Sequence, residues 1–194
     1  MTAIAGTERA RVAQPNGWWG MALFLAGETA LFGVLVATYF FLRFKTAQWP
    51  PGGIEAPHVV LPLVLTGILV ATSFPMLVAA VAARRGAVRV AWWAVLGALV
   101  VQSGYFGMQI HLFLADLDKF TPQENAYGSI YFTLLGAHHL HVAVGLLFNL
   151  WLALRLTTGL TPYRVTAVRV IALYWHVVNA LALVVLGTIL SASV

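Results

Sequence analysis

The 194-residue chain has no cysteine, and its six Asp and Glu side chains are outnumbered by eleven Lys and Arg. Without thiols it has no disulfide, no thiolate-held zinc or iron–sulfur site, and no cysteine-ligated dinuclear copper centre of its own. Charge of either sign is scarce: charged residues make up 9%, hydrophobic residues 61%, and the mean hydropathy is +0.87. That balance excludes a soluble globular domain. The net charge of +5 comes from basic residues dispersed among short loops, not from a patch interleaved with exposed aromatics, so no nucleic-acid partner is expected. The first seventeen residues are too polar, and the apolar run behind them too long, for a cleaved signal peptide. No internal repeat and no long linker divides the chain.

Five long apolar segments fill the sequence, at residues 17–43, 59–83, 90–114, 127–156 and 168–190. Each has enough residues to cross a hydrocarbon core of about 30 Å at about 1.5 Å per residue. The expected fold is therefore an all-α integral membrane protein, a single bundle of five transmembrane helices behind a polar tail at residues 1–16. Loop charges orient it. Arg9, Arg11, Arg84, Arg85, Arg89, Arg155, Arg164 and Arg169 fall on one side, while Arg43, Lys45 and Lys119 share the other with Glu55, Asp116, Asp118 and Glu124. The positive-inside rule then puts the N-terminus in the cytoplasm and the C-terminus outside.

The first segment carries one acid, Glu28, ten residues beyond Trp18. That places a carboxyl about 15 Å from the interface, where a charge costs at least about 2.5 kcal/mol. A partner must offset that cost. Either Glu28 is a structural hydrogen-bonding group or it handles protons, and the residues leave both open. Ala26, Ala30, Gly33 and Ala37 share the roughly opposite face, a small-residue stripe that lets another helix approach closely.

Polar residues in the later segments fall on shared faces. Thr72, Ser73 and Pro75 predict a kink whose freed carbonyl is met by a hydroxyl. Gln102, Tyr105 and Gln109 line up in the third segment, where interhelical hydrogen bonding is the expected role. In AHHLHVAVG the fourth segment aligns Tyr131, His138, His141, Gly145 and Asn149, with His139 turned about 100° away. In YWHVVNALA the fifth presents His176 and Asn179. Counted from the cytoplasmic ends, His176 falls at the depth of Glu28, and His138 and His141 about 10 Å above His176. A Glu28–histidine contact follows as an expectation. A haem would need axial ligands converging from two helices, and that depth difference opposes it. No complete metal ligand set is expected.

Four motifs in order identify a resemblance: GETALFGVLVATYF around Glu28, WPPGGI at 49–54, YGSIYFTLLGAHHLHVAVG at 127–145, and Tyr174-Trp175-His176. From Trp18 onward the chain resembles subunit III of the haem–copper respiratory oxidases, in a five-helix bacterial form. The resemblance implies a non-catalytic subunit of a proton-pumping terminal oxidase, such as a cytochrome c oxidase, in a bacterial plasma membrane. Such a subunit stabilises the catalytic subunit and supports proton uptake during O2 reduction. It carries no cofactor of its own. Haems and copper belong to partners, subunits I and II, and the remaining implied associates are membrane phospholipid and further respiratory-complex subunits. Glu28 would be the family's buried carboxyl, with His138, His141 and His176 as its polar partners. Longer relatives have seven helices, so a two-helix lobe is absent here or supplied by another chain. Three positions depart from the pattern: Asn179 and Ala182 stand where Asp and Trp are usual, and His139 where Gly is common. A quinol oxidase subunit III and the related protein of nitric oxide reduction share these features. A free-standing haem cytochrome and a small proton-coupled carrier are alternatives of a different class, the latter expected to show an inverted repeat.

Overall fold

The computed structural model describes residues 14–54 and 59–193. Arg9, Arg11 and Glu55, used above in the charge balance, lie outside the described residues, as does most of the 1–16 tail. Six α-helices follow in order: α1 (Asn16–Lys45), α2 (Val60–Ala71), α3 (Ser73–Arg84), α4 (Val88–Leu117), α5 (Ala126–Leu156) and α6 (Pro162–Leu190), with a 3-10 turn at Ser191–Ser193. Among the described residues there is no strand. The pair α2–α3 is one interrupted span, giving five helical spans long and apolar enough to cross a membrane.

The break in the second span sits at Thr72. Pro75 has no amide proton, so the ladder cannot close onto Ala71, and the Thr72 hydroxyl turns back to donate to Leu69 O at 2.6 Å. At its far end α3 stops at Gly86, whose φ of +75° is the left-handed conformation glycine adopts without a Cβ penalty. Ala87 N then donates to Ala82 O at 2.9 Å and Gly86 N to Ala83 O at 3.2 Å, the paired bonds that close a helix C-terminus.

The last helix differs most from its sequence expectation. It starts at Pro162 rather than 168, because Thr161 caps it by accepting from Arg164 N at 3.2 Å and proline is pre-set for the first turn. Charged Arg164 and Arg169 ride on these polar first turns, beyond the apolar run that marks the span. Asn125 caps α5 in the same way, accepting from Gly128 N at 2.8 Å.

α6 is the centre of the bundle, touching α1, α2, α3 and α5. Two packed clusters lie along it. One, nearer the arginine-bearing ends, includes Met76, Val95, Leu152 and Trp175; the other, toward the opposite end, includes Phe32, Tyr39, Tyr127 and Val185. α1 is peripheral and, among the described helices, reaches only α5 and α6. It docks through Leu25, Phe32 and Tyr39, buried at every seventh position, a narrow seam suited to a shallow left-handed crossing. The stripe of Ala26, Ala30, Gly33 and Ala37 faces away from the bundle and is exposed; close approach within the chain is made elsewhere. The WPPGGI turn folds back so that Trp49 sets its ring edge-on to Tyr39 and Tyr127, with centroids 5.3 and 5.1 Å apart.

Candidate functional site

Glu28 and His141 meet where α1 crosses α5: Glu28 Oε2 lies 2.9 Å from His141 Nε2. The other ring nitrogen, Nδ1, is 2.7 Å from the carbonyl of Ala137 one turn back. A carbonyl can only accept, so Nδ1 carries a hydrogen. The Nε2–Oε2 contact then needs one further proton, on whichever partner, because two facing lone pairs would repel. The pair therefore holds one shared proton, as carboxylic acid with neutral imidazole or as carboxylate with imidazolium. Its net charge is zero either way, which meets the mid-membrane cost of Glu28. Phe32 packs edge-on to the His141 ring. Tyr174 of α6 donates to the His141 carbonyl at 2.7 Å. The pair is on the flank of the bundle, with side-chain exposures of 25% for Glu28 and 12% for His141.

Helix ends bring Glu28, His141 and His176 to nearly one depth, so the facing direction of each side chain selects the partner. Counting from Asn16, Leu156 and Pro162, Glu28, His141 and His176 lie about 18, 22 and 21 Å along their helices. The expected 10 Å offset between the histidines of α5 and His176 is thus corrected: for His141 it shrinks to about 1 Å, because α6 begins six residues early. Direction, not depth, separates them. His176 is half-buried and makes no hydrogen bond among the described residues, while both nitrogens of His141 are engaged, leaving no lone pair for an axial haem ligand. Among the described residues no three His, Asp or Glu side chains converge on a metal position.

The other polar residues tie helices together. Asn149 of α5 donates to Gln102 Oε1 at 2.7 Å, Gln102 of α4 donates to the Thr72 hydroxyl at 3.1 Å, and Thr72 donates onward to Leu69 O. This ladder crosses three spans and ends on the kink. Asn179 of α6 donates to Ser73 Oγ at 2.7 Å, so Ser73, read in the sequence only as part of a kink, is an interhelical acceptor. Tyr105 OH lies 3.4 Å from His138 Nε2 and accepts from Gln109 Nε2 at 3.2 Å. Tyr131 donates to Asp116 Oδ2 at 2.7 Å, and Lys119 pairs with Asp116 Oδ1 at 3.2 Å. Gly145 lets α5 and α6 come together. A Cβ there would stand 2.7 Å from Trp175 Cζ2. The sequence marked Gly145 as part of a stripe but gave no sign that an indole lies against it.

The sequence has relatives of known family. A family profile described as cytochrome c oxidase subunit III matches residues 2–191. The chain belongs to the cytochrome c oxidase subunit III family. Among similar subunit III proteins, the cytochrome bo(3) ubiquinol oxidase subunit 3 of Pseudomonas aeruginosa is 35% identical over 167 residues, covering 83% of this chain and 78% of the relative. The cytochrome c oxidase subunit 3 of Bacillus subtilis is 32% identical over 184 residues, covering 92% and 87%. The quinol oxidase subunit 3 of the same organism is 32% identical over 166 residues, covering 82% and 78%. Membership of the subunit III family implies a multi-pass membrane protein in a complex with other oxidase subunits. The bond from Asn179 to Ser73 is one between neutral groups.

Proposed function

We propose that the chain is a non-catalytic subunit III of a proton-pumping terminal oxidase in a bacterial plasma membrane, with its N-terminus in the cytoplasm. It packs against the catalytic subunit I, alongside subunit II, stabilises it and supports proton uptake during O2 reduction. The observation that carries this reading is the Glu28–His141 pair: one shared proton, held at mid-span on the flank of the bundle. A group buried only for architecture would be better placed in the interior, as Gln102 and Asn149 are. The concentration of Arg84, Arg85, Arg155, Arg164 and Arg169 at one end supports the orientation. The reducing substrate of the complex is taken to be cytochrome c. A quinol oxidase is the second reading, favoured by relatives that are named as ubiquinol and quinol oxidase subunits.

Affinity purification through this chain in mild detergent tests the proposal. Haem bands in the reduced-minus-oxidised spectrum should arrive with a large oxidase subunit and vanish when the chain is stripped free. Turnover with reduced cytochrome c, compared with turnover with a quinol, assigns the donor. Glu28→Gln should assemble normally, since the amide keeps a hydrogen bond to His141, yet slow turnover or hasten inactivation. A colourless chain with no partners would overturn the reading, as would a Glu28→Gln complex that turns over and survives like wild type.

A further inference from the structure

A cavity of about 580 Å³ opens between α2, α4, α5 and α6, lined by no residue of α1. Its floor is formed by Tyr105, Gln109, His138 and His139. Tyr105 is twelve residues from the end of α4 and His138 twelve from the start of α5, so both lie about 18 Å down. The floor is polar and under-used. His138 and His139 are 3% and 5% exposed, yet Nδ1 of His138 and both nitrogens of His139 have no hydrogen-bond partner. Buried polar atoms are normally satisfied. Leu112, Leu135, Val185 and Leu186 make the walls apolar, and the volume falls in the range of small-molecule sites between bundle helices.

The floor also selects the ligand. It bears no fixed charge, and its tyrosine, imidazole and amide groups both donate and accept. At the mouth, Lys119 is already paired with Asp116, which also accepts from Tyr131; among the described lining residues no other Lys or Arg is left for a phosphate. A bare acyl chain offers no hydrogen bond and would leave all three nitrogens unpaired. We propose that the cavity binds a neutral amphiphile, head inward: a carbonyl- or hydroxyl-bearing head on Tyr105, His138 and His139, with an apolar tail running out along α6. A membrane quinone and an uncharged glyceride share this chemistry. Ala182 lines the same space, and a tryptophan placed there would fill it.

The test uses the assembled oxidase in its membranes and three diazirine-bearing photoprobes: a decyl-quinone, a monoacylglycerol and a phosphatidylcholine. Peptide mapping by mass spectrometry locates the labels. The expected result is saturable labelling of α4 and α6 residues near Leu112 and Leu186 by the quinone or the glyceride, and whichever competes at lower concentration identifies the natural source. Ala182→Trp should abolish the label, and Tyr105→Phe should weaken competition about tenfold, the loss of one hydrogen bond. Complex yield and haem content report that each variant has folded. Equal labelling by phosphatidylcholine would overturn the proposal, as would no saturable label from either neutral probe, or labelling untouched by both variants.

Discussion

Gly145→Ala adds one methyl group at the tightest approach of α5 to α6. Carbon atoms in contact settle about 3.5 to 4.0 Å apart, whereas the new Cβ would stand 2.7 Å from Trp175 Cζ2 and 3.0 Å from both Trp175 Cε2 and Tyr174 Cε1. Neither ring can retreat, because Tyr174 and Trp175 are each 0% exposed. Overpacking of this kind costs about 1 to 3 kcal/mol. Alanine returns up to about 1 kcal/mol through better helix propensity, leaving a net loss of about 1 kcal/mol from the middle of that range. Moving Tyr174 also lengthens its bond to the His141 carbonyl, so the effect reaches the Glu28 pair. Unfolding of wild type and variant in mixed micelles with rising dodecyl sulfate, followed by circular dichroism, measures the loss. Trp175→Phe removes the two indole atoms nearest the methyl. The double variant should therefore be more stable than the sum of the single effects by at least about 1 kcal/mol. Gly145→Ala unfolding with wild type, or additive single effects, would refute the packing argument.

His141→Leu should be more severe than Glu28→Gln, because it leaves the carboxyl without a partner at mid-span, a cost of about 2.5 kcal/mol or more; the amount of this chain retained in the purified oxidase reports it. Gln102→Leu removes the middle of the Asn149–Gln102–Thr72 ladder and should destabilise the chain by about 1 to 2 kcal/mol in the same unfolding assay. Thr161→Ala takes away the α6 cap and should cost about 1 kcal/mol, with faster amide exchange confined to residues 163–165.

Much of the fold can be read from apolar runs, since five spans need only length and hydropathy. The faces are legible too: Asn149, Gly145, His141, His138 and Tyr131 each meet a different neighbour along one stripe of α5. Helix ends are harder, because they depend on polar capping rather than on hydrophobicity. In α6 the Thr161-Pro162 start is present in the sequence but hidden by Arg164 and Arg169, and that six-residue error set His176 about 10 Å from His141, with which it is level. Rotational placement was the other gap. A wheel shows that Glu28 and the small-residue stripe oppose each other, but only packing shows that Leu25, Phe32 and Tyr39 form the seam while the stripe faces outward. Ser73 and Trp175 were legible as residues but not as contacts, which depend on two helices at once.

The bond from His141 Nδ1 to the Ala137 carbonyl has an electrical consequence. With that hydrogen pinned, the only mobile one lies between Nε2 and Oε2, and its path runs from α1 to α5, mostly in the plane of the membrane. A full charge crossing the bilayer gains about 2.3 kcal/mol per 100 mV. A shift of at most about 1 Å out of about 30 Å of hydrocarbon gains under about 0.1 kcal/mol, well below thermal energy. Proton position in the pair is therefore indifferent to the voltage an oxidase builds, and responds to local chemistry alone.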